Sequence, residues 1–108
     1  MQVSQINWSE TEETIAKRAF ETAYQREISA LLKEVRELTP TISDLDQLWH
    51  LHDFLSARRH DIDGKYAYED STLVFAFAKL LKEGWLNRDE LKGLDSEKLS
   101  KISALARM

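Results

Sequence analysis

The sequence predicts an all-α fold in which two long helices form a dimer stem and a small helical head follows. Three observations carry this. Only three Gly and one Pro occur in 108 residues, which leaves little turn chemistry. Apolar residues recur at three- and four-residue steps from Ile15 to Leu38, and a second run from Leu45 to Asp63 contains neither Gly nor Pro. The whole chain reads as a single all-helical domain over residues 1–108, with the stem at about 9–64 and the head at about 65–108.

Met1–Trp8 carries little pattern and reads as an extended arm or loosely docked tail. Ser9-Glu10-Thr11-Glu12 is a capping box, in which Ser9 caps the helix and Glu12 reaches back. Ile15, Ala19, Phe20, Ala23, Tyr24, Ile28, Leu31, Leu32, Val35 and Leu38 then mark a helix from about Glu10, which Pro40 stops. At 1.5 Å per residue it is roughly 40 Å long. The average helix has only about 11 residues. The rest of the chain is too short to cover it, so a second copy beside it, antiparallel or crossed, is expected.

Thr41 or Ser43 is the expected cap of the second helix, with Asp44 and Asp46 complementing its dipole. It runs to about Ile62 and ends through a left-handed Gly64. At 100° per residue, Leu48, Leu51, Leu55 and Ile62 form an apolar stripe, and Phe54 adds apolar surface on a third side. Beside the stripe, Trp49, His52, Asp53, Ser56, Arg59 and Asp63 make a continuous mixed strip, with Leu45 one turn earlier. A helix docked once needs an apolar arc of about 100°, whereas this one spans roughly 200°. Either one small domain surrounds the helix on several sides, or the strip faces another chain. Trp and Arg concentrate at the energetic centres of interfaces, which favours the second reading. Arg59 offers a planar fork to a carboxylate, or else forms with Asp63 a solvated pair worth ~0.3–0.5 kcal/mol.

Lys65–Asp70 is a connector. Ser71–Leu81 is apolar nearly all round, and Val74, Phe75 and Phe77 alone would suit a buried strand. A lone strand has nothing to pair with, and the segment continues into helix formers and Gly84, so a buried helix is expected. Asn87 and Glu90 cap a short helix to about Lys92, Gly93 breaks it, and Asp95 starts a last helix lined by Leu99, Ile102 and Leu105.

Several function classes fall away. Without Cys there is no disulfide, thiolate nucleophile or thiolate metal site. No apolar run approaches 18 residues and the start is not basic-then-apolar, so neither a membrane span nor a signal peptide is expected. A net charge of −4 argues against nucleic acid and for a protein partner. His50 and His52 point about 200° apart on a helix, and His52 and His60 are about 12 Å apart along it, so they share no metal. The calcium-like Asp61-Ile62-Asp63-Gly64 puts Arg59 at the first ligand position. Ser56, His52 and Asp53 or Asp63 lack an oxyanion hole, because mid-helix amides are already bonded. No enzyme activity, metal, cofactor or small-molecule substrate is expected.

Leu48–Tyr66, reading LWHLHDFLSARRHDIDGKY, closely resembles the fluorescence recovery protein family of cyanobacteria. The likeness extends to Trp8-Ser9, Ala23-Tyr24-Gln25-Arg26-Glu27, Phe75-Ala76-Phe77-Ala78 and Lys101-Ile102. His50 and Arg58 stand where the family commonly has Lys, altering the rim of the strip, and Ala67-Tyr68 departs in the connector. The resemblance implies an all-α homodimer that binds the photoactivated orange carotenoid protein, chiefly its C-terminal domain. Binding speeds the partner's return to the inactive orange form, helps detach it from the phycobilisome and restores antenna fluorescence. It further implies functional roles for Trp49, His52, Asp53 and Arg59, dimer contacts through Leu48 with Leu45, Trp49 and Arg59, and head contacts with the partner through Phe75 and Lys101. The implied location is the cytoplasm, or the cytoplasmic side of the thylakoid through peripheral association with it or the phycobilisome. Whether Trp49 and Arg59 touch the partner or maintain the dimer stays open at this level. The other reading is a helical dimeric adaptor with a different protein client.

Overall fold

The computed structural model describes residues 7–108. It contains four α-helices: α1 (Glu10–Leu38), α2 (Leu45–Lys65), α3 (Leu73–Glu83) and α4 (Ser96–Ala106). Short 3₁₀ turns lie at Thr39–Thr41, Asp70–Thr72 and Arg88–Leu91. No strand occurs among the described residues, only an isolated bridge between Lys92 and Leu94. The chain divides into two compact units, one comprising residues up to Arg26 with Tyr68–Met108, the other Glu27–Ala67. The long first helix thus contributes its N-terminal half to one unit and its C-terminal half to the other.

The first unit holds the larger core. Leu73, Phe77, Leu80, Leu91 and Ile102 are fully buried there, and α3 packs against α4. Phe20 of α1 meets Phe77 edge-on at 5.1 Å between centroids. The capping box closes as expected: the Ser9 amide donates to Glu12 at 3.1 Å and the Glu12 amide to the Ser9 hydroxyl at 3.1 Å. Of the expected N-terminal arm, Met1–Ile6 lies outside the described residues. Trp8 is not loosely docked. It is buried, its ring lies 6.4 Å from Phe77, and its indole N–H donates to the Asp70 carbonyl at 3.2 Å. Gly84 ends α3 in the left-handed conformation, and Asn87 with Glu90 forms the second capping box on a 3₁₀ turn.

The second unit pairs the C-terminal half of α1 with α2. Asp44, rather than Thr41 or Ser43, caps α2, because its carboxylate is the group that reaches the Gln47 amide, at 2.8 Å. Gly64 does not end α2. The helix continues to Lys65, and Tyr66 closes it by donating its amide to the Ile62 carbonyl at 3.1 Å. Of the expected apolar stripe, Ile62 is buried and Leu51 half-buried, but Leu48 and Leu55 remain exposed. Phe54 is half-buried instead. The apolar arc is wide enough that hydrophobic pattern alone did not select the inward face.

Candidate functional site

The outer face of α2 carries the predicted strip. Trp49 is 54% exposed and Leu45 63%, while the Arg59 side chain is 85% exposed. Trp49 and His52, one turn apart, stack edge-on at 6.2 Å between centroids. His52 Nδ1 lies 3.3 Å from Asp53 Oδ1, and Arg59 Nε lies 3.8 Å from Asp63 Oδ2. Both pairs are solvated, so they add little stability and leave the charged groups available. Trp49, His52, Asp53, Arg59 and Asp63 therefore share one exposed helix face, with Leu48 and Leu55 exposed along its flank.

Beneath this face, charged side chains tie α2 to α1. Glu27, buried on α1, accepts from Lys65 Nζ at 2.9 Å, from the Tyr66 hydroxyl at 2.8 Å and from Arg58 Nη2 at 3.4 Å. Arg58 also faces Glu34 at 3.6 Å and lies 5.8 Å from the Phe54 ring centre. Expected at the rim, Arg58 turns inward. His50 borders a hollow of about 320 Å³ with Glu34, Leu38, Leu51 and Phe54.

In the other unit, Phe75 is 62% exposed and Lys101 is exposed. Phe75 borders a groove of about 610 Å³ whose lining includes Ala78 of α3 and Leu105 of α4. Lys101 precedes Leu105 by one helical turn, on the same side of α4. Phe75 and Lys101 are thus both exposed residues of the first unit, whereas the α2 strip belongs to the second.

The buried charges escaped the sequence reading. Glu12, Ala16, Phe20, Ala23 and Glu27 are all buried and recur at four-, four-, three- and four-residue steps. The signal was therefore present: two carboxylates on the core stripe of α1 must find cations. Glu12 finds Lys98 and the Asp95 amide, and Glu27 finds Lys65 and Arg58. On the surface of the first unit, Arg26 grips Glu90 bidentately at 2.7 and 2.6 Å and also donates to the Trp85 carbonyl. That grip pulls the Glu90 carboxyl below its ordinary range, against the opposing effect of burial. No group of three metal-ligating side chains occurs among the described residues. None of the described helices is long and apolar enough to cross a membrane.

Comparison with known proteins gives a consistent picture. Residues 8–106 match the family described as photoprotection regulator fluorescence recovery protein. The chain is 48% identical to the fluorescence recovery protein of Synechocystis sp. over 108 residues, covering all of this chain and 99% of that one. The fold is similar to the structure of the Fremyella diplosiphon fluorescence recovery protein, with a TM-score of 0.90 at 57% identity. It is similar also to that of the Synechocystis sp. PCC 6803 protein, at 0.89 and 50%. Both comparisons cover 94% of this chain and 100% of the other.

Proposed function

From the premise that the chain belongs to the fluorescence recovery protein family of photoprotection regulators, we propose that it binds the photoactivated orange carotenoid protein through the outer face of α2. Binding accelerates the partner's return to its inactive orange form and so restores phycobilisome fluorescence. The carotenoid belongs to the partner, and no bond is made or broken by this chain. Acceleration comes from binding the barrier state of the partner's domain closure more tightly than its open state, each ~1.4 kcal/mol of difference giving tenfold in rate. Neither a cofactor nor a catalytic group is required for that.

The observation that carries this reading is the uncovered α2 strip, where Trp49 is 54% exposed and Arg59 85% exposed. Trp49 supplies an apolar anchor with an N–H donor, and Arg59 a fork for a carboxylate. Phe75 and Lys101 on the head offer a second contact with the partner's C-terminal domain. Leu45, Leu48 and Leu55, at 63%, 45% and 36% exposure, suit a homodimer, since covering what remains of each would contribute roughly half of the ~1.5–3 kcal/mol that full burial of such a side chain gives. The working place is the cytoplasm, or the cytoplasmic side of the thylakoid through peripheral association. Mixing the protein with light-activated carotenoid protein and following red-to-orange reversion in the dark tests the reading. Faster reversion is expected, and an unchanged rate at micromolar excess would refute it and favour an adaptor for another client.

A further inference from the structure

We propose that Glu27 is a positioning residue that fixes the rotation of α2 about its own axis, and thereby aims the recognition strip away from α1. Hydrophobic burial is a poor guide to that rotation. Apolar side chains occupy roughly 200° of α2, so turning the helix would exchange half-buried Leu51 and Phe54 for exposed Leu48 and Leu55 at little apolar cost. Charge pairing is directional where burial is not. Glu27 is 2% exposed, and its two carboxylate oxygens receive Lys65 at 2.9 Å, Arg58 at 3.4 Å and the Tyr66 hydroxyl at 2.8 Å.

Arg58 and Lys65 are seven residues apart, which brings them within about 20° of one another on the helix. A turn of the helix by one residue step would carry both away from α1 together. It would leave the Glu27 carboxylate buried without them, the situation that makes breaking a buried ion pair costly. Trp49 precedes Arg58 by nine residues and so points about 180° away from it. Anchoring Arg58 on Glu27 therefore places Trp49 on the outer face by helix geometry alone. Lys65 also meets Asp61 at 3.2 Å and Arg58 meets Glu34 at 3.6 Å, so the anchor has charged neighbours on both helices.

This deepens the proposed role of the strip, but its test uses the chain alone, so the two can fail separately. The chain has no Cys, which permits clean thiol cross-linking. Leu38 on α1 and Leu51 on α2 line the same hollow, whereas Leu48 does not. A short thiol-to-thiol cross-linker should join Leu38→Cys to Leu51→Cys within one chain far more readily than Leu38→Cys to Leu48→Cys. Denaturing mass measurement separates these from cross-links between chains. Two backgrounds are compared with the native one: Glu27→Leu, and Glu27→Leu with Arg58→Leu and Lys65→Leu. The triple variant replaces the whole ionic group by apolar side chains, which buried sites commonly tolerate.

The expected result in the triple variant, with helical content retained, is a reciprocal change. The Leu51 cross-link falls and the Leu48 cross-link rises, their ratio shifting by about tenfold or more as orientation becomes a matter of apolar contact alone. An unchanged ratio would overturn the proposal. A parallel fall of both cross-links would overturn it too, because the ionic group would then only tighten the helix pair. Loss of helix in the triple variant would show that the group is needed to fold at all rather than to orient, with the same consequence. If Glu27→Leu alone unfolds, the triple variant decides.

Discussion

Lys98 Nζ lies 3.0 Å from Oε1 and 3.1 Å from Oε2 of Glu12, a buried ion pair that closes 86 residues of sequence. Lys98 also donates to the Asn7 carbonyl at 2.6 Å and stands 4.9 Å over the Trp8 ring. The start of α1 is thereby tied to the start of α4, and the same carboxylate completes the capping box of α1 and accepts the Asp95 amide at 2.8 Å.

Acid should loosen this tie. Burial works against the ionised Glu12, but the Asp95 and Ser9 amides and the Lys98 ammonium outweigh it and lower its pKa from 4.5 to about 2. A carboxyl that is more acidic folded than unfolded stabilises fully above about pH 4.5 and loses that contribution as pH falls toward about 2. Thermal unfolding at pH 7 and pH 3 should show a marked loss for the native chain. Glu12→Gln should melt lower at pH 7, by up to ~3–5 kcal/mol of stability for a broken buried pair, and should change less between the two pH values. An equal pH response in both proteins would refute this.

Two glycines should respond oppositely to Ala. Gly93 has φ +106°, and a Cβ there would lie 2.6 Å from Ile15 Cδ1. Gly93→Ala should cost more than ~1 kcal/mol in urea unfolding, and Ile15→Val should relieve only the steric part. Gly64 lies within α2, and a Cβ there meets nothing within 4 Å. Gly64→Ala should stabilise by ~0.4–1 kcal/mol. Destabilisation there would mean that Gly64 ends the helix after all.

The Tyr68 hydroxyl is buried and has no hydrogen-bond partner among the described residues, although its ring packs edge-on against Phe20 at 5.7 Å. Leaving a buried polar group unsatisfied costs ~1–3 kcal/mol. Tyr68→Phe should therefore be neutral or raise the melting temperature, and a clear drop would reveal a partner for that oxygen.

Self-association should depend on the flank of the strip. Leu45 and Leu48 are 63% and 45% exposed, so their removal does not touch the chain's own core. Leu45→Asp with Leu48→Asp should leave helical content intact and reduce the proposed homodimer to a monomer in sedimentation or light scattering. An undiminished dimer would place the interface elsewhere.

Much of the helix layout was legible because local chemistry dictates it. Ser9 and Glu12 start α1 and Pro40 follows its end, while Gly84, Gly93 and the Asn87–Glu90 box punctuate the head. The strip was legible too, since Trp49, His52, Asp53 and Arg59 follow helix spacing on an exposed face. The inward face of α2 was not. Leu48 and Leu55 look as apolar as Leu51, and what separates them is Glu27, which lies 31 residues from Arg58 and 38 from Lys65. The core stripe of α1 marks Glu27 as a carboxylate in need of cations, but its periodicity does not say which residues of α2 supply them. Gly64 misled for a related reason: Lys65 is drawn to Glu27, and the helix carries on through the glycine to reach it.

The outer face of α2 is tested most directly by Arg59→Leu, because the Arg59 side chain is 85% exposed and its ion pair with Asp63, at 3.8 Å, is solvated. The melting temperature should hold, as nothing buried is disturbed. The measurement is the dark reversion rate of light-activated orange carotenoid protein with native and variant chains, alongside their mass in solution. The predicted result is a variant of native mass that no longer accelerates reversion. Acceleration undiminished in a variant of native mass would contradict the assignment of this face to partner recognition.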